Sequence, residues 1–208
     1  MPKSQILIFI SCLAAAMQAF AASATQPQVD QLKATTVDVL DAIYADSAES
    51  LSKEEKQARV RAVLEKNYDL DVIIRRAIGR NWRQLDSSQQ EKVLELVKQL
   101  VVKAYVDNMN GRERPEVRFD EAIQISDKRM EVPSTVTSEG TSVSVLYRLG
   151  RLRSGWQIYD VVAENISVVA NFRQQIDDHF RKGSAEGLIE RLEELLNKEK
   201  ITDETLQL

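Results

Sequence analysis

Residues 143–163, VSVLYRLGRLRSGWQIYDVVA, decide the architecture of this chain, because apolar side chains here recur every second residue instead of every third or fourth. Val143, Val145, Tyr147 and Leu149 share one face of a strand, with Gly140 marking the turn before it. Ser154-Gly155 marks the next turn, and 156–163 is apolar on both faces, as expected of an inner strand covered by helices. Upstream, Val117, Phe119, Ile123 and Ile125 alternate with Arg118, Asp120 and Gln124. Met130, Val132 and Val136 do so less cleanly across Pro133. Four strands at a spacing of about 12 residues, joined by short turns, predict an antiparallel meander.

Helical periodicity flanks this region. Val29, Leu32, Thr36, Val39, Leu40 and Ile43 predict a helix over 29–44. Ser52 and Glu55 form a capping box for a second helix reaching Asn67, and a third over 70–78 stops near Gly79. The longest helix is expected over 88–108, capped by Ser88 and Glu91, with Val93, Leu96, Val97, Leu100, Val101 and Ala104 in one stripe. Asn110-Gly111 and Pro115 stop it. After the strands, helices are predicted over 166–182, with Gly183 as a stop, and over 184–197. The class is α+β: a four-stranded antiparallel sheet packed by helices from both ends of the chain. No Pro/Gly/Ser-rich linker interrupts 29–197, so a single domain is expected.

Composition removes several function classes. The 208 residues carry a formal net charge of −4, which argues against a sequence-independent nucleic-acid binder. One Cys, one His and seven Gly leave no disulfide framework, no Cys/His metal site and few glycines for a phosphate loop. Gly150 and Gly155 have P-loop separation, but Trp156 and Gln157 follow where Lys and Ser/Thr are required. His179 beside Asp178 falls on a polar helical stretch, and the carboxylate clusters Asp69/Asp71 and Glu190/Glu193/Glu194 read as solvated helix ends and faces. Arg75, Arg76, Arg80 and Arg83, with Arg148, Arg151 and Arg153, form two guanidinium clusters, suited to phosphate oxygens or to a solvated basic rim offset by nearby acids. No catalytic residue, metal ligand or cofactor is expected.

The first 21 residues read as a secretory signal peptide: Lys3, an apolar run over 6–16, and Ala19-Phe20-Ala21 as a small-x-small cleavage pattern. The run is too short for a comfortable membrane span. Cleavage removes Cys12 and Lys3, leaving a cysteine-free chain of formal charge −5, suited to an oxidising compartment such as a bacterial periplasm.

Residues 156–169, WQIYDVVAENISVV, followed by Asn171-Phe172-Arg173 and Gly187-Leu188-Ile189, resemble the MlaC family of periplasmic phospholipid-binding proteins, also called the toluene-tolerance family. Residues 77–82, AIGRNW, leading through 87–90, SSQQ, to Tyr105, are similar to a second segment of that family. The similarity covers most of 29–202, the bounds of one expected lipid-binding domain. Asn165 stands where the family usually has Gly, and Asn tolerates positive φ better than most residues.

The resemblance implies a curved, broadly NTF2-like sheet and an apolar cavity for acyl chains. Its expected lining is Ile73, Ala77, Val101 and Tyr105 from helices, Val145, Tyr147 and Val161 from strands, and Ile166, Val169 and Phe172 from the segment after them. It also implies a monomer that does not span the membrane and carries phospholipid between the inner and outer membranes, maintaining outer-membrane asymmetry. The implied partners are an inner-membrane MCE-type ABC transporter complex and an outer-membrane lipoprotein/porin complex. Hiding a 16-carbon chain from water is worth on the order of 12 kcal/mol, which an unreactive apolar lining supplies. Rival readings are an NTF2-like enzyme using the neighbouring Tyr159 and Asp160, a carrier for a hopanoid or aromatic solvent, and an interaction protein with a filled pocket. On a regular strand Tyr159 and Asp160 point to opposite faces.

Overall fold

The protein is described by a computed structural model over residues 26–201. The expected signal peptide, 1–21, and the expected domain end at 202 lie outside the described residues. Helix α1 (Gln26–Tyr44) leads through a 3-10 turn (Asp46–Ala48) to α2 (Lys53–Asn67) and α3 (Leu70–Ile78). A second 3-10 segment (Gly79–Gln84) precedes the long α4 (Ser87–Met109). The strands are β1 (Glu116–Phe119), β2 (Ile123–Ser126), β3 (Arg129–Ser138), β4 (Thr141–Leu152), β5 (Gly155–Ala163) and β6 (Ile166–Ser167). Helices α5 (Val168–Phe180) and α6 (Ala185–Leu196) follow.

Local chemistry sets the helix ends. The Ser52–Glu55 capping box forms as expected. For α4 the box is Asp86–Gln89 and not Ser88–Glu91: Asp86 Oδ1 accepts the Gln89 N–H at 2.8 Å and Gln89 Oε1 accepts the Asp86 N–H at 2.9 Å. Both tetrads fit the pattern two residues apart, and the upstream one is used. Gly79 ends α3 at φ 62°, ψ −132°, a conformation almost confined to glycine. Arg173 of α5 fills the space beside it and donates from Nε to the Arg76 carbonyl at 3.1 Å, capping α3 from a neighbouring helix.

The sheet has six antiparallel strands, which corrects the expected four. The predicted strand over 117–125 is two strands, both paired to one edge of β3. Pro133 explains the split: its carbonyl accepts the Asp120 N–H at 2.9 Å, but it has no N–H to return on that side, so the ladder is interrupted. The sixth strand, β6, takes the first two residues assigned to the helix over 166–182, and Ser167 caps α5 by accepting the Ala170 N–H at 3.0 Å. Glu164 and Asn165 make the turn with φ of 47° and 66°, so Asn165 adopts the left-handed backbone its chemistry allows. Because β6 is so short, β5 is an edge strand for most of its length and not an inner one; helices α3 and α5 lie against it instead.

The helical core gathers Ile74, Ile78, Leu96, Leu100, Ile176 and Leu192, from α3 to α6. A second cluster joins Val39 and Ile43 of α1, Val60 of α2, and Val102 and Val106 of α4. Helix α4 is therefore buried on two sides, and Val101, assigned to its single stripe, is 48% exposed. Ile201 is pinned by the buried Asp107, which holds Lys103 at 3.0 Å, Lys53 at 3.4 Å and the Ile201 N–H at 3.0 Å.

Arg61 of α2 grips Glu95 of α4 through two hydrogen bonds at 2.5 and 2.7 Å, which holds the Glu95 carboxyl down at about 2. A depressed acid stabilises the fold above its unfolded value near 4.5 and loses that contribution as pH falls towards 2. The pair is partly solvated, so about 1 kcal/mol is expected instead of the full shift. Urea unfolding at pH 5 and pH 2.5 should show the wild type losing about that much more stability than Glu95→Gln. Equal losses would remove the pair from the acid response.

Candidate functional site

Register alone places the strand residues. Phe119, Ser134, Val145, Ala163 and Ile166 are successive partners across β1, β3, β4, β5 and β6, forming one row on one face of the sheet. Beside it runs the row Val132–Tyr147–Val161, and beyond that Met130–Leu149–Ile158. Residues two apart along a strand share a face, so these rows make one continuous apolar surface. Ser134 is its polar member, and the Ser134 hydroxyl donates to the Val145 carbonyl at 3.0 Å, leaving no free polar group there.

Coverage of this surface is uneven. At one end Val29 and Leu32 of α1 press onto Met130, Val132 and Leu149, and all five are buried. At the other end Val143, Val145, Val161 and Ala163 are half-buried, while Ile166 is 62% and Val168 40% exposed. An apolar face is thus closed by a helix over half its length and open over the rest, an arrangement that suits an apolar guest better than a finished core.

Of the expected lining residues, register brings Val145, Tyr147, Val161 and Ile166 onto this one face. Tyr105 of α4 packs with the cluster of Val39, Ile43, Val60, Val102 and Val106, and Tyr147 with the cluster that Val29 and Leu32 cover. Burial raises the pKa of both phenols above the usual tyrosine value. Ile73 and Ala77 are half-buried on α3, next to the buried Ile74 and Ile78. Val169 and Phe172 are half-buried on α5, which is anchored from the other face of the sheet. Val143 and Ala163 belong to the open surface but were not assigned to the lining. The alternation of 143–149 and the pairing of 163 with 145 were the signals for them.

Asp160 supplies the anchor for α5. It is 6% exposed and accepts from Arg148 Nη1 at 3.1 Å, the Ser167 hydroxyl at 2.8 Å and the Val169 N–H at 3.2 Å. Arg148 also reaches Glu131 at 3.0 Å, tying three strands together. Asp160 pairs with Arg148, and Ile158 with Leu149, so a bulge leaves Tyr159 as the additional residue. The bulge corrects the expectation that Tyr159 and Asp160 point to opposite faces. The Tyr159 ring covers Gly150, beneath the Arg76 guanidinium at 5.8 Å, on the same side as Asp160 and away from the apolar rows.

The remaining polar features have local uses. His179 Nε2 bonds the Ser184 carbonyl at 2.9 Å, joining α5 to α6. Arg75 stacks over Trp82 at 5.3 Å, and Arg80 pairs with Asp177 at 3.4 Å. A groove of about 580 Å³ lies between Gln31, the 65–71 segment, Lys98 and the 154–157 turn. It is bridged by Lys98 and Asp71 at 2.6 Å and contains none of the ten expected lining residues. Among the described residues, no group of three His, Cys, Asp or Glu gathers as a metal site, and no helix is long and apolar enough to cross a membrane.

The family model described as MlaC protein matches residues 33–194. No curated protein matches the chain at a level that marks a relative. Among solved structures, a phospholipid-binding protein from Ralstonia solanacearum, in complex with a phospholipid, superposes with a TM-score of 0.71 at 23% identity. The alignment covers 80% of this chain and 95% of that one, a likeness of fold.

Proposed function

Because this chain belongs to the MlaC protein family, whose model spans residues 33–194, we propose that it is a phospholipid carrier that holds acyl chains against the open apolar face of its sheet. The observation that carries this reading is the half-covered surface itself: Val145, Tyr147, Val161 and Ile166 share one face, and α1 closes only its far end. The phospholipid held by the Ralstonia solanacearum protein of similar fold supports the same ligand class. In this reading residues 29–202 form one lipid-binding domain with a broadly NTF2-like sheet. Ile73, Ala77, Val101, Tyr105, Val169 and Phe172 complete the lining around the strand residues.

The carrier works in the periplasm as a monomer after removal of residues 1–21. It moves phospholipid between an inner-membrane MCE-type ABC transporter complex and an outer-membrane lipoprotein/porin complex, and so maintains outer-membrane asymmetry. Catalysis is not required: the ligand leaves unchanged, and the polar pair that suited an enzyme, Tyr159 and Asp160, lies on the opposite side of the sheet from the apolar rows.

Organic extraction of the purified protein followed by mass spectrometry tests the reading. Phospholipid at near-stoichiometric amount is expected. Its absence, with no lipid taken up from vesicles, would overturn the carrier assignment, whereas a hopanoid or aromatic ligand would keep the cleft and replace the cargo.

A further inference from the structure

Two turns meet at the end of the sheet that α1 covers. The β2–β3 turn is 126–129, SDKR, and the β4–β5 turn is 150–155, GRLRSG, so together they carry four cations against one carboxylate, Asp127. The Arg151 N–H donates to the Lys128 carbonyl at 2.9 Å, and Arg129 faces Gly150 across the ladder, which sets the two turns side by side. Lys128, Arg129, Arg151 and Arg153 are all exposed, and none of them pairs with a carboxylate among the described residues. Arg61, Arg114, Arg118, Arg148 and Arg191, by contrast, each lie within 3.2 Å of one. Beside the bare cations, Ile123 and Ile125 of β2 are 50% and 53% exposed. In a chain of formal net charge −4 this corner is both basic and partly apolar.

Unpaired cations on exposed turn tips suit a surface dense in phosphates. Each guanidinium fork takes two phosphate oxygens, the lysine acts as a point charge, and no match of shape is needed. An acidic protein face would need carboxylates spaced to meet the four cations, and the adjoining groove, where shape could help, contains none of the four. The two isoleucines add apolar area of the kind that enters the headgroup boundary of a bilayer. We propose that this end of the sheet docks on an anionic phospholipid bilayer, with Lys128, Arg129, Arg151 and Arg153 against lipid phosphates and Ile123 and Ile125 entering the interface. Val145 lies six residues along β4 from Arg151, about 20 Å away, so the docked protein keeps the open part of its apolar face off the bilayer. The contact goes beyond the carrier reading: the protein rests on a membrane without surrendering its cargo to it.

The test is flotation of the mature protein with vesicles of phosphatidylglycerol and phosphatidylcholine in equal amounts, and with vesicles of phosphatidylcholine alone. Wild type is expected to partition at least tenfold better onto the anionic vesicles, and to lose most of that preference when salt rises from about 0.05 M to about 0.5 M. Each basic residue near an anionic surface is worth about fivefold in partitioning, so Arg151→Glu/Arg153→Glu should bind the anionic vesicles at least about 25-fold more weakly. Arg59→Glu/Arg112→Glu makes the same change of net charge at exposed positions elsewhere and should stay within about threefold of wild type. Equal wild-type binding to the two vesicles overturns the proposal, and so does binding to neither, which leaves the four cations to an acidic protein face; these arms need no variant. Equal loss in the two variants also overturns it, because net charge alone then accounts for binding. Lipid extracted from the same samples is expected to be unchanged in Arg151→Glu/Arg153→Glu, and an emptied but folded variant would make this end part of the cargo site and overturn the docking assignment.

Discussion

Val145→Asp is expected to abolish co-purifying lipid while leaving the protein folded. Val145 is half-buried in the row Ser134–Val145–Ala163–Ile166, on the part of the sheet that α1 does not reach. In the unloaded state a carboxylate there stays hydrated, so stability changes little. Seating an acyl chain strips that water, and burying an unpaired charge costs several kcal/mol, enough to lower loading at least a hundredfold. Leu149→Asp is the control on the same strand and the same face. Leu149 is 1% exposed beneath Val29 and Leu32, so the same change there should unfold the domain instead of emptying it. Circular dichroism and extracted-lipid mass spectrometry on the pair separate the two outcomes. Lipid retained by Val145→Asp would remove this row from the binding surface.

Asp160→Ala should produce the largest loss of stability among polar substitutions. The buried carboxylate joins Arg148, the Ser167 hydroxyl and the Val169 N–H, and so fastens the start of α5 to the sheet. Removing it orphans those donors, at about 3 kcal/mol or more. For a chain of this size that corresponds to a melting temperature lower by roughly 6–12 °C. Asp160→Asn keeps an acceptor and should recover part of the loss. A melting temperature within 2 °C of wild type for Asp160→Ala would show that α5 is held by its apolar contacts alone.

Much of the fold was legible because the sequence is locally consistent. The helix over 70–78 and its stop at Gly79, the Ser52–Glu55 box, and the alternation of 143–149 each depend on neighbours a few residues away, and each formed as expected. The misses share a cause. Pro133 interrupts a ladder only because the strand beside it needs its N–H. The Tyr159 bulge exists only relative to β4, and the choice of Asp86–Gln89 over Ser88–Glu91 depends on where the preceding turn ends. The same limit applied to the site: β-strand period put Val143, Val145, Tyr147 and Leu149 on one face but did not fix which part of it a helix would cover.

Composition and local pattern by themselves determined the α+β class and a described chain without cysteine, and they carried the resemblance to the family. Those features depend on residue identity and short-range spacing. Only the tertiary structure decided that α1 closes the Met130–Leu149 end and leaves the Val145–Ile166 end open, and that Asp160 is an anchor. The first depends on contacts between residues about 100 or more positions apart and the second on how a bulged strand, a turn and a helix start meet, where packing, not periodicity, decides which apolar surface becomes core and which remains for a ligand.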